Sequence, residues 1–446
     1  MSKLLLTNAR IVNEGETLDR DVLIDGERIA RIDASISAPS DAKVIDVAGK
    51  TLLPGMIDDQ VHFREPGMTH KGDLATESAA AAAGGITSFM DMPNVNPQTT
   101  TRSALRDKYA VAENRCSANY GFYLGATNNN IEEVKALQVG EAAGIKAFMG
   151  ASTGDMLVDN PEALDKLFEH APTIVLTHCE DSPMIWANEA AARKKYGDDV
   201  PLSEHPSIRS AEACHKSSRL AFDLASRHDA LLHILHLTTA VEMGLFSNAH
   251  RSEKRITAEV CVHHLWFDES RYDELGSRIK CNPAIKRRED REALIAALND
   301  QRIDVIATDH APHTASEKAG TYFMSPAGLP LVQHALLTLF DLAAKDQFSV
   351  ELIVDRACHA PADIFGVADR GYIREGWFAD LVIVDPQSPY RVDASNLLSK
   401  CQWSPFEGHE FTASIDTTIV NGHVVYRDGA LTGIVAGQKL EFGRAR

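Results

Sequence analysis

The chain predicts an α/β fold: a (β/α)8 TIM barrel with a small β-sandwich domain formed by both chain termini. Three observations carry this. Eight short apolar runs alternate with helical stretches through the middle of the 446 residues. Such near-continuous runs imply strands buried on both faces, and alternating βα units imply parallel pairing. Both ends of the chain are rich in β-branched residues and turn signals instead.

The elements follow in order. LLLTNARIV, DVLIDGERIARID and KVIDVAGKTLL, all within residues 3–53, read as strands punctuated by Asp-Gly and Ala-Gly. The runs of the middle region are 52–63, 85–94, 118–127, 144–153, 173–180, 231–238, 256–265 and 304–312. ADLVIVD, TTIVNGHVVYRDG and ALTGIV near the C-terminus repeat the β-rich character of the start. The expected division is therefore 1–53 with 371–446 as the sandwich and 54–370 as the barrel. Most of the middle runs end in polar or ionisable residues: His62, Asn94, Lys146, His178, His236, His264 and Asp309. In a (β/α)8 barrel the C-terminal strand ends carry the chemistry.

Bulk properties exclude several partners. The formal net charge of -18 repels nucleic acid phosphates and anionic lipid, though one buried Arg could still hold a small anion. Seven scattered cysteines with no C-x-x-C pair argue against a disulfide framework and fit the reducing cytoplasm. The first residues carry no signal-peptide pattern, and no apolar run reaches the roughly 20 residues that span a bilayer.

His62, His178, His236 and Asp309 are ligand types that zinc accepts. One such histidine alone is more often structural; four at the ends of four expected strands would converge on the barrel axis. Lys146 sits in the hydrophobic run GIKAFMG. It is either a lysine snorkelling from a strand end or a buried amine with a depressed pKa.

The motifs LLPGMIDDQVHFREPG (52–67), DMPNVNP (91–97), GIKAFMGAST (144–153), THCED (177–181), ILHLTTA (234–240), AEVCVHHL (258–265), CNPAIK (281–286), ATDHAPH (307–313) and REGWFADLVIVD (374–385) together resemble the amidohydrolase superfamily, and within it the dihydroorotases. The resemblance spans essentially the whole chain. It implies reversible, zinc-dependent hydrolysis of a cyclic amide: dihydroorotate plus water against N-carbamoyl-aspartate, a step of pyrimidine biosynthesis. It further implies two metals. One is held by the H-x-H motif and Asp309, the other by His178 and His236, with carboxylated Lys146 bridging them. Here the first position of H-x-H is Gln60, and an amide oxygen is a weaker ligand than imidazole, so the count stays open at one or two ions.

By the same resemblance, Asp309 shuttles the proton from the attacking water to the leaving ring nitrogen. Arg64, Asn94 and His313 hold the substrate carboxylate, while Asn282 and the loop around Gly328 read the ring edge. By charge pairing alone, Arg64 could equally pair with Glu65, and Asn282 could simply start a turn before Pro283. The run YFMSPAGLPLVQHALL reads as a mobile lid or a fixed loop. His263 and His264 receive no ligand role and read as hydrogen-bonding or structural neighbours of the site; Asp58 and Asp59, just before the signature histidine, read as candidate supports behind the ligands. Family members are often dimers, which makes a homodimer the expectation. The alternatives are a dihydropyrimidinase or allantoinase-like enzyme, whose substrates lack the exocyclic carboxylate, and a non-catalytic structural partner, which Gln60 motivates.

Overall fold

The computed structural model describes residues 3–150 and 156–443. The last three residues of the GIKAFMGAST motif, 151–153, lie outside them. Eight parallel strands form a barrel: Met56–Val61, Ile86–Asp91, Asn119–Phe122 (continued by Leu124–Gly125), Ile145–Phe148, Val175–His178, Leu232–Ile234, Ile256–Cys261 and Val305–Ala307. Neighbours pair in parallel around the ring, for example Ile145 with Val175, Val175 with Leu232 and Leu232 with Ile256. The ring closes between the first and eighth strands, where Val61 bridges to His310 and the His62 N–H donates to the His310 carbonyl at 2.7 Å.

Each apolar run of the middle region supplies one of these strands. The first run supplies two elements. Thr51–Pro54 joins the terminal sheet, and Gly55 separates it from the first barrel strand. A Cβ at Gly55 would lie 2.1 Å from the Thr87 hydroxyl oxygen, so only glycine allows the backbone to pass that close to the second strand. Helices cover the outside, and their burial follows helical spacing. In Ala211–His228 the side chains of Ala213, Cys214, Ser217, Ala221, Leu224 and Ala225 are buried, and Ser210 caps the start by accepting from the Ala213 N–H.

Both ends of the chain meet in one nine-stranded sheet. Its order runs Ala430–Leu431, His423–Arg427, Ser414–Val420, Leu381–Asp385, Thr51–Pro54, Lys3–Asn13, Glu16–Asp25 and Arg28–Asp33, with Ala42–Asp46 also pairing on Lys3–Asn13. The long first strand breaks register between Leu6 and Ala9, with Asn8 at φ 56°. Its two halves therefore pair with different strands, Ala42–Asp46 and Thr51–Pro54. This bends the sheet round an apolar core that includes Leu6, Ile11, Val22, Ile45, Leu381 and Ile419.

Two segments near the C-terminus leave this sheet for the barrel. The stretch around Lys439 runs parallel to Tyr120 of the third strand, and Trp403 donates its indole N–H to the His313 carbonyl at 2.7 Å.

A buried polar knot joins sheet to barrel. Arg370 pairs with Asp380 and donates to Asn421 at 2.7 Å; Asn421 and Asp380 both bond Asn119 of the third strand, at 2.7 and 3.0 Å. Removing one member of a buried pair strands the other charge. Asp380→Ala is expected to destabilise the chain by about 3–5 kcal/mol, read as a lowered midpoint in urea unfolding. A loss below about 1 kcal/mol would show that the knot does not hold the two parts together.

Candidate active site

The ends of five strands deliver the expected ligand residues to one place. Gln60 and His62 flank the end of the first strand, Lys146 lies in the fourth, His178 ends the fifth, and His236 and Asp309 follow the sixth and eighth by two residues. Asp309 Oδ1 accepts from Gln60 Nε2 at 3.2 Å and lies 3.0 Å from His62 Nε2. Across the site, His178 Nδ1 faces His236 Nε2 at 2.9 Å. Lys146 is 1% exposed, and its amine makes no hydrogen bond to the described residues, the Nζ sitting 4.6 Å from the Phe148 ring centroid.

Burial pushes the Lys146 amine down to about 8, against the pull of Asp309 and Glu259. The Lys146 charge in turn acts on His178, His236 and Asp309. Burial drives both histidines toward the neutral form. It also raises Asp309, but the His62 hydrogen bond and the surrounding positive groups outweigh that and leave its carboxyl below the usual range.

These residues fit a divalent metal. His178 Nε2 lies 2.8 Å from Glu180 Oε2, which assigns the N–H to that side and leaves Nδ1 as a lone pair facing the site. A carboxylate holding the far ring nitrogen is the arrangement that aims a metal-binding imidazole. His236 Nδ1 is buried with no partner among the described residues. His236 and Asp309 have φ of 39° and 51°. Non-glycine residues hold that conformation only where surrounding contacts enforce it. At His236 the enforcing contact is visible: its backbone N–H donates to Glu259 Oε1 at 2.9 Å.

Of the groups behind the ligands, the sequence pointed to Asp58 and Asp59 as supports for His62, but not to Glu180 or Arg209. Glu180, fully buried, binds Arg209 at 2.5 Å as well as His178. Burial opposes its ionisation, yet Arg209 and His178 bring its carboxyl down to about 2. Asp58 accepts from Thr308 N–H at 3.1 Å and Thr308 Oγ1 at 2.6 Å, stapling the first strand to the eighth. Asp59 points into the barrel, 3.3 Å from His233 Nε2. Glu180 carried one signal: it lies two residues after His178, inside a motif already singled out. Arg209 carried none, because it reaches the site from a separate helical segment.

Arg64 lies beyond the first strand, 7% exposed, with φ 70°. Its Nε donates to the Pro312 carbonyl at 3.0 Å and its Nη2 lies 3.0 Å from His313 Nε2; Nη1 bonds no described residue. Glu65 is not its partner, since that carboxylate pairs with Arg115 at 2.9 Å. The ion-pair alternative for Arg64 therefore falls away. Asp91 positions this turn by accepting from the Phe63 N–H at 2.7 Å, and the buried Lys108 neutralises it at 2.6 Å. Asn94 comes to the same corner, with Oδ1 2.8 Å from His62 Nδ1. His313 Nδ1 is 3.1 Å from Lys71 Nζ, and its Nε2 lies 3.0 Å from both Arg64 Nη2 and the Ala327 carbonyl. Burial, with Arg64 and Lys71 beside it, keeps His313 neutral.

The segment around Gly328 is tethered. Lys318 Nζ donates to the carbonyls of Pro326, Gly328 and Lys280 at 2.8, 3.0 and 3.2 Å, and Lys280 Nζ donates to Ser325 O at 2.7 Å. The Gly328 N–H is itself bound to Lys280 O at 2.9 Å. At φ 139°, a Cβ on Gly328 would meet Ala311 O at 2.4 Å. Between a mobile lid and a fixed loop, the contacts describe the fixed loop. The Asn282 Oδ1 nearby is buried without a partner among the described residues. Lys318→Met leaves three carbonyls short of a donor. It is expected to raise amide hydrogen exchange across residues 325–329 at least tenfold, with exchange in the barrel strands unchanged. Wild-type protection of that loop would refute the tether.

Comparison with known proteins gives the family and the fold. The amidohydrolase family model matches residues 51–425. A dihydroorotase of Halobacterium salinarum is 34% identical over 97% of this chain and 99% of its own, and one of Bacillus cytotoxicus 33% identical over 95% and 98%. Among solved structures, the L-hydantoinase (dihydropyrimidinase) of Arthrobacter aurescens superposes with a TM-score of 0.93 at 25% identity, covering 99% of this chain and 100% of that one. The dihydropyrimidinase of Brevibacillus agri gives 0.91 at 25% identity, covering all of both chains.

Proposed function

Because the chain belongs to the amidohydrolase family, we propose that it is a zinc-dependent dihydroorotase, opening and closing the cyclic amide of dihydroorotate. The observation that carries this reading over other cyclic amides is Arg64. A buried guanidinium with one nitrogen unspoken for, at the mouth of the barrel, suits a substrate with a carboxylate outside its ring. Burial lowers its pKa to about 10, so it stays charged at neutral pH.

His62, Asp309 and Gln60 would hold a metal on one side of the pocket and His178 and His236 on the other, with Lys146, as a carbamate, between them. Neutral amine is the form that adds carbon dioxide, and a buried amine near 8 supplies it more readily than a free lysine. When bound, the metal activates water and polarises the ring carbonyl. The weak amide donor of Gln60 leaves one ion or two.

The chain's own residues do the rest. Arg64 clamps the substrate carboxylate. Asn94 orients His62 through Oδ1 and keeps its NH2 for the same carboxylate. His313, neutral and fixed by Lys71, gives the pocket a polar wall. Asp309 accepts a proton from the attacking water and returns it to the ring nitrogen as the amide bond breaks, which balances the step. Asn282 and the tethered Gly328 loop bound the ring edge. A homodimer, a cytoplasmic location and a place in pyrimidine synthesis complete the reading. Among the described residues no helix is long and apolar enough to cross a membrane.

The hydantoinase and dihydropyrimidinase structures favour a second reading, a ring without the carboxylate. Steady-state hydrolysis of dihydroorotate beside dihydrouracil and allantoin, with zinc measured on the same sample, separates the two. Turnover of dihydroorotate with one or two zinc ions per chain is expected. Turnover of dihydrouracil alone would overturn the substrate, and absence of both metal and turnover would leave a structural partner. Arg64→Met is expected to raise KM for dihydroorotate by about 10–100-fold, the loss of charge-assisted hydrogen bonds worth ~1.5–3 kcal/mol. Unchanged dihydroorotate kinetics would remove the clamp. Asp309→Ala is expected to lower kcat by about 10²–10⁴-fold, the usual scale of a lost general acid–base group.

A further inference from the structure

At the end of the seventh strand, Cys261, His263 and His264 form a donor cluster that the reaction above does not use. One ligand atom from each lies within 4.8 Å of the others, and all three side chains are buried. His263 is fully enclosed. Neither of its ring nitrogens has a well-aligned hydrogen-bond partner among the described residues, although the Thr308 backbone lies close enough to act on the ring. His264 approaches the Pro283 carbonyl through Nε2 at 3.2 Å, which leaves Nδ1 as a lone pair, also buried and unpartnered. Native interiors rarely leave so many ring nitrogens empty in one place. A thiol and two imidazoles are a donor set that zinc prefers over harder cations.

The position is informative. Cys261 Sγ lies 3.8 Å from Gln60 Oε1, beside the residue that replaces the first histidine of the family motif. The other buried cluster, Asp59, His233 and Glu259, is paired within itself: against burial, its two carboxylates raise the His233 imidazole to about 9. There the His233 imidazole already sits between two carboxylates, 3.3 and 3.6 Å away.

We propose that Cys261, His263 and His264 bind a zinc ion, so that this chain holds a metal at the seventh strand, next to the corner that Gln60 weakens. Loading replaces the Cys261 S–H bond with a zinc–sulfur bond and releases one proton. Glu259 Oε1, 3.5 Å from the sulfur, is the nearest acceptor for it. The inference takes its place in the pocket from the proposed function, but its chemistry stands on these three side chains.

The test is a titration of metal-free, full-length protein with cobalt(II), followed by absorption. A bound thiolate produces a sulfur-to-cobalt charge-transfer band in the near ultraviolet, whatever the substrate. The band is expected in the wild type, lost in Cys261→Ser together with one equivalent of bound zinc, and retained in Cys179→Ser. A wild type without the band, or a Cys261→Ser protein that keeps it, overturns the site. Should Cys261→Ser fail to fold, His263→Gln decides: it keeps the thiol, and cobalt affinity is expected to fall at least tenfold, with unchanged affinity overturning the site. Failure of dihydroorotate hydrolysis leaves this readout intact, and absence of the band leaves the hydrolysis reading intact.

Discussion

Asp58 binds Thr308 through both its backbone N–H and its hydroxyl, and this contact fixes where the first strand meets the eighth. The two strands come from opposite ends of the barrel segment, so nothing local in the sequence brings them together. Once Asp58 sets their register, Gln60 and His62 project beside Asp309 rather than one residue off, where strand alternation would turn them outward. Burial pushes the Asp58 carboxyl well above its usual range, against the Thr308 hydrogen bonds. A proton can stay on this group without loss of the seam, since a carboxylic acid still accepts from two donors.

The remaining ionisable groups follow one rule, that a charge taken out of water must be met. Lys108 meets Asp91, Arg209 meets Glu180 and His233 sits between Asp59 and Glu259. Each pairing positions something else. Asp91 holds the turn that presents Arg64, Glu180 orients the His178 ring, and Glu259 holds the His236 backbone in a conformation it would otherwise leave. The site is thus a lining of ligand residues backed by a layer of paired charges, each backing residue reaching from a different strand or helix. The Lys146 amine, His236 Nδ1 and both ring nitrogens of His263 meet no such partner among the described residues, and they stand in or beside the pocket. An unmet donor or lone pair on a ligand-type side chain lining a pocket is where a bound group completes the bonding.

Loops complete the enclosure without being loose. Lys318 and Lys280 spend their ammonium hydrogens on backbone carbonyls of the segment around Gly328, and Trp403 reaches in from the C-terminal region to hold the backbone at His313. A rigid mouth costs no ordering of the loop when substrate arrives, and it keeps Arg64, Lys71 and His313 in one another's reach before any anion enters.

The sequence by itself determined the architecture and the chemical inventory. Eight buried apolar runs could only be parallel strands, because strands covered on both faces lose the polar alternation of an exposed sheet. The polar residues closing those runs could only gather at one end of the barrel, so His62, His178, His236 and Asp309 were legible as a set; Lys146 as a ligand and Arg64 as the anion clamp rested on the family resemblance of their motifs. What each of these side chains touches was decided by the tertiary structure. Glu65 turned to Arg115 and left Arg64 free; Arg209 and Lys318 entered from distant segments; Asn94 went to His62; and three side chains at the seventh strand, passed over as ligands, came within ligand distance of one another. The physical reason is range. Periodicity reports which face a residue occupies, over a few residues of chain. A hydrogen-bond partner hundreds of residues away, such as Thr308 for Asp58, is chosen only when strands pack and every buried polar atom competes for the partners that remain.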